Sequence, residues 1–131
     1  MGNQVNKGIG FEEMKIAIQN PTQYVILNTL TDKEQEILIQ YTISSVEEER
    51  VMNTLISSGS FMDKIFIIYG KNSTEIDKLL KLYRKLQGLG IYDIQIYYGG
   101  LFEWVLLQEI YGEKEFPTTN KVKDILLYRG A

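Results

Sequence analysis

The residues of this chain best suited to chemistry are Gly70, Lys71, Asn72, Ser73, Thr74 and Glu75, which follow an apolar run at 65–69 and precede a helical pattern. Backbone amides where a loop opens a helix can hold an anion, and a nearby lysine adds charge. Lys71, Ser73 and Thr74 are therefore candidate ligands for a phosphate or a sulfur oxyanion. The competing reading is structural. Asn72, Ser73 or Thr74 would simply cap the helix, and Glu75 and Asp77 already complement its dipole. Covalent chemistry is more restricted still. The chain contains no cysteine and no histidine. Thiolate nucleophiles, disulfides, thiolate metal sites, histidine-based triads and histidine-bound zinc are excluded together. An enzyme would have to work with groups such as Ser73, Thr74, Glu75 and Glu103, and nothing brings a recognised base to a recognised nucleophile.

The elements that must position this loop read as alternating strands and helices. Residues 24–27, 37–39, 65–69 and 94–98 are short runs rich in Ile and Val, as buried parallel strands should be. Between them lie helical patterns at 9–19, 75–87 and 102–110, with a last one at 122–127. Thr31 with Glu34 and Ser45 with Glu48 read as capping boxes, the second opening a helix whose apolar stripe is Val46, Met52, Leu55 and Ile56. Gly88 and Gly90 close the helix before the last strand. The pattern is that of an α/β domain with a mostly parallel sheet.

Composition sets the outer bounds. At 131 residues with 44% hydrophobic and 24% charged content, the chain is large enough for one core and one domain. The expected division is a flexible N-terminus at 1–8 and a single domain at 9–131. A net charge of −3 argues against nucleic acid as a partner. No apolar run approaches the roughly 20 residues of a membrane span, and no hydrophobic signal core follows Met1, so an intracellular, cytoplasmic protein is expected. Gly2 invites N-myristoylation, but Asn6 stands where the favoured pattern has Ser or Thr.

Three segments carry a resemblance. Gly99-Gly100-Leu101-Phe102-Glu103-Trp104 is similar to the Gly-Gly-x-x-x-Trp that follows the last central strand of rhodanese-like domains. The glycines allow a sharp strand-to-helix turn, and the Trp packs that helix down. The run from Tyr69 to Thr74 sits where that family has its active-site loop. Residues 25–30 resemble its second strand, followed by 38–43 in place of a His-Ile-x-Gly-Ala-Ile segment. Residues 99–119 further resemble a subgroup from protists and large DNA viruses.

The resemblance implies a three-layer fold, a central, mostly parallel five-stranded sheet with helices on both faces. It also places Gly70 where the family has its nucleophilic cysteine, Asn28 where it has an Asp and Leu30 where it has an Arg. Family sulfurtransferases carry a persulfide on that cysteine and related phosphatases a phosphocysteine, both of which need an activated thiolate. Glycine supplies none. The expectation is thus a non-catalytic domain serving protein interaction or regulation, with a viral accessory or particle role implied by the subgroup and a cytoplasmic or virion-associated location. The alternative is a small-anion binding module on the amides of 70–75. No cofactor and no metal are expected. For a protein partner, the candidate surfaces are the basic helix face with Lys78, Lys81 and Lys85, and the residues nearest the empty loop, Leu101, Phe102 and Glu103.

Overall fold

Strand β1 (Lys7–Ile9) and strands β2 (Tyr24–Asn28), β3 (Ile65–Tyr69) and β4 (Ile94–Tyr97) form one parallel sheet in the order β1-β4-β3-β2. A computed structural model provides the coordinates and describes residues 7–130. Parallel strands need crossover connections, and helices α1 (Phe11–Ile18), α2 (Ser45–Ser58) and α3 (Ile76–Gly88) lie in them, while α4 (Gly100–Tyr111) follows the last strand.

Alternation along the strands divides the core in two. Ile26, Ile67, Tyr69 and Tyr97 point to one face, where they meet Met14, Ala17 and Ile18 of α1 and Leu101, Trp104 and Val105 of α4. Val25, Leu27, Phe66, Ile68, Ile94 and Ile96 point to the other, against Met52 of α2 and Leu79, Tyr83 and Leu86 of α3. The period of two in a pleated strand thus dictates three layers, helix on sheet on helix.

Five of the sequence expectations change. The sheet has four strands among the described residues, not five. Residues 37–39 form no strand, because their backbone groups are taken elsewhere. The Leu38 amide donates to Thr119 Oγ1 at 3.0 Å and the Ile39 amide to the Tyr69 hydroxyl at 3.0 Å. Tyr41, at a φ of 70°, then bends the chain, leaving single bridges from Thr42 to Ile26 and from Ile39 to Thr118. Conversely, Lys7 and Gly8, expected in a flexible leader, are in β1, with Lys7 opposite Gln95. The expectations for residues 1–6, Gly2 lipidation included, lie outside the described residues.

The other two changes concern helices. The segment at 122–127 is not an α-helix but a 3₁₀ turn at Ile125–Tyr128. In α2, Ser44 takes the N-cap place, while Ser45 Oγ donates to Asp32 at 3.0 Å. The capping box at Ser45 therefore does not form, and Val46 is 85% exposed instead of in the apolar stripe. The box at Thr31 does form, with the Thr31 amide donating to Glu34 Oε1 at 3.0 Å.

Candidate functional site

Ligands of open α/β sheets bind beyond the carboxyl ends of the strands, and here the ends of β2, β3 and β4 converge on the loop 70–75. The turn out of β4 is built on Gly100. Its φ is +71°, and a Cβ there would lie 2.7 Å from the Gly70 carbonyl oxygen and 3.0 Å from the Asn72 amide nitrogen. Only glycine fits such a close backbone crossing. The approach lets the first amides of α4 find acceptors, since Leu101 donates to the Gly70 carbonyl and Phe102 to the Lys71 carbonyl, each at 2.9 Å. Loop carbonyls therefore satisfy orphan donors of the helix.

The side chains of the loop are engaged as well. Lys71 Nζ lies 3.0 Å from Glu34 Oε2. Burial would raise the Glu34 carboxyl, but the Thr31 amide and the Lys71 ammonium outweigh it and hold the group below its ordinary value. Asn72 is buried and organises the rest. Its Oδ1 accepts the Thr74 amide at 2.9 Å and the Thr74 hydroxyl at 2.5 Å. Asn72 thus closes an Asx-type turn within the loop. The N-cap of α3 is Glu75, with no side-chain bond, so the capping role expected of Asn72, Ser73 or Thr74 is not the observed one. Ser73 is exposed.

Gly70 itself is buried, and a Cβ placed on it would come within 2.9 Å of Thr29 Oγ1. That hydroxyl is a buried polar atom with no hydrogen-bond partner among the described residues. Asn28 and Leu30, the flanking positions singled out by sequence, serve structure. Asn28 Oδ1 accepts the Leu30 amide at 2.9 Å and Gln35 Nε2 at 2.8 Å, while its Nδ2 donates to the Ile43 carbonyl at 3.1 Å. The Leu30 side chain is in the core. Gln35 also accepts the Ser45 amide at 2.9 Å, tying the end of β2 to the start of α2. No local pattern in the sequence marks Gln35 for this role.

The largest feature that sequence reasoning missed is the C-terminal segment. Trp104 Nε1 donates to the Pro117 carbonyl at 3.0 Å, and its ring meets Tyr97 and Phe116 edge-on with centroids 6.2 and 5.0 Å apart. From there the chain runs beside residues 36–40, with the Thr119 amide donating to the Leu38 carbonyl at 2.8 Å and Asn120 Nδ2 to the Glu36 carbonyl at 2.6 Å. It then crosses the loop. Asn72 Nδ2 donates to two successive main-chain carbonyls, Tyr128 at 3.0 Å and Arg129 at 3.2 Å. The Tyr128 side chain is buried, and burial first, with Glu36, Glu34 and Asp124 adding to it, raises its hydroxyl above the ordinary tyrosine value. A cleft of about 310 Å³ remains between this segment and Lys33, Glu34, Ile37 and Lys71.

The candidate partner residues are scattered. Lys78 and Lys85 pair with Glu75 and Glu48 at 3.5 and 3.6 Å, and Lys81 is exposed on the same helix. Leu101, expected at an exposed mouth, is 0% exposed, because α4 begins at Gly100 and turns that position into the core. Phe102 is half-buried, and Glu103 Oε1 accepts the buried Tyr97 hydroxyl at 2.5 Å. Among the described residues, no cluster of three or more acidic side chains could hold a metal ion, and no helix is long and apolar enough to cross a membrane. Comparison with known proteins finds no family model and no curated protein that matches this sequence.

Proposed function

We propose that this chain is a rhodanese-like domain that has no catalytic role and acts by binding a protein partner. One observation carries the reading. The buried Asn72 and the half-buried Lys71 of the loop 70–75 are already engaged within the chain, Lys71 by Glu34 and Asn72 by Thr74 and the C-terminal segment, while the nucleophile position is a glycine. A loop that holds substrate oxyanions needs its donors free. The engagement of Lys71 and of the Thr74 and Glu75 amides argues against the anion-binding alternative, in which the amides of 70–75 with Lys71, Ser73 and Thr74 would be the ligands. The partner surface is the α3 face with Lys78, Lys81 and Lys85, which suits an acidic protein.

The pure protein should give no thiocyanate from thiosulfate and cyanide and no phosphatase turnover. Robust activity in either assay would sink the reading. Phosphate, sulfate and thiosulfate at millimolar concentration should leave the melting temperature unmoved, since a ligand of the native state must raise it by mass action. Affinity capture from native host cells should recover a partner that is lost when Lys78, Lys81 and Lys85 are all changed to Glu.

A further inference from the structure

We propose that the surface that residues 122–130 cover, over Asn72 and next to the cleft at Lys71, is a peptide-docking groove, that those residues are its resident occupant, and that the partner docks by replacing them with a segment of the same chemistry. The proposal deepens the binding-domain reading and rests on it. The occupant shows what the groove recognises. Asn72 reads only main-chain carbonyls, at Tyr128 and Arg129, which any extended peptide offers. Selectivity comes from Tyr128, buried against the core, and from Ile125 and Val122, packed on its margin. These apolar positions recur every third residue, the period of the 3₁₀ turn that carries two of them. The partner segment is thus an apolar peptide with a tyrosine or similar aromatic three residues after an aliphatic one.

The occupant is held loosely enough to leave. Its own amides at Leu126, Leu127 and Arg129 donate only to acceptors within the segment. Its salt bridge, Lys123 to Glu36, spans 3.9 Å between exposed groups. Leu126 and Leu127 are exposed. Open space lies on both sides, about 310 Å³ towards Glu34 and Lys71 and about 380 Å³ towards Val105 and Gln108.

A fluorescent peptide with the sequence of residues 120–130, titrated against full-length protein, tests this directly. The full-length Tyr128→Ser variant, whose own occupant is weakened, should bind the peptide about tenfold more tightly than wild type. Adding Asn72→Ala should remove that gain, and a peptide carrying Ser at the Tyr128 position should not compete. Equal affinity in wild type and Tyr128→Ser, or binding indifferent to Asn72→Ala, overturns the proposal. Hydrogen exchange on the wild type gives a second reading that needs no variant. The amides of Leu126, Leu127 and Arg129 should exchange at least about 100-fold faster than those of Ile67 and Ile68. Equal rates would mean that the segment leaves only on global unfolding, which also overturns it. Either failure leaves capture through Lys78, Lys81 and Lys85 intact, whereas failed capture leaves the peptide measurement standing.

Discussion

Strands β3 and β4 lie side by side, and each hands the chain to a helix, yet β4 does so through Tyr98 and Gly99, with Gly100 opening the helix, while β3 takes residues 70–75. The short turn works through backbone. Gly100 allows two main chains to cross at a distance no side chain tolerates, and two helix amides are satisfied by that crossing. The long turn works through side chains. Lys71, Asn72 and Thr74 each find a partner, and Asn72 finds one 56 residues away. A turn made of backbone constraint has almost no freedom to change, whereas one made of side-chain bonds can trade partners. The second is where binding can be gained, lost or switched.

The largest test of that contrast is Gly100→Ala. A methyl group at a φ of +71°, 2.7 Å from a main-chain oxygen, should lower stability by about 3 kcal/mol or more in urea unfolding. The matching change in the other turn, Gly70→Ala, meets only the tip of Thr29 and should cost less than about 1 kcal/mol. Similar losses from the two would break the comparison. Asn72→Ala should cost about 2 kcal/mol, because it strips a donor from two carbonyls and an acceptor from Thr74.

How far the two turns could be read in advance follows from the same difference. A backbone crossing that admits only glycine writes itself into the sequence, so Gly99, Gly100 and the packing of Trp104 were legible. Continuous apolar runs rich in Ile and Val made β2, β3 and β4 legible as well. The bond from Asn72 to Tyr128 and Arg129 was not, because main-chain carbonyls occur at every position and leave no residue type to recognise. Strand β1 escaped notice for a related reason. Lys7, Gly8 and Ile9 have no strand pattern of their own and become a strand only by pairing with β4. Leu101 was misplaced because the helix starts two residues earlier than its apolar pattern suggests, which rotates the assigned face.

Smaller effects sharpen the account of the long turn. Thr29→Val removes a buried hydroxyl that has no partner and should raise stability by up to about 1 kcal/mol. A loss instead would mean that Thr29 Oγ1 is held by a group outside the described bonds. The least effect is expected from acid. Glu34 titrates lower in the folded state than in the unfolded one, so its contribution is present above the ordinary carboxylate value and fades as pH falls through the lowered one. For a pair this accessible the contribution stays well below about 1 kcal/mol. Carboxyl NMR should show the Glu34 titration moving upward in Lys71→Met, and an unmoved titration would detach Lys71 from the turn.

The position of β1 at the sheet margin also bears on the order in which the molecule is made. Lys7 pairs with Gln95, not with the strand that follows it in the chain. Closing so distant a contact is slow compared with forming any of the four helices. During synthesis β1 must wait, unpaired, until β4 has left the ribosome, and Asn72 must wait longer still for Tyr128. The edge of the sheet and the cover over its carboxyl end are therefore completed last, after β2 and β3 have been able to join.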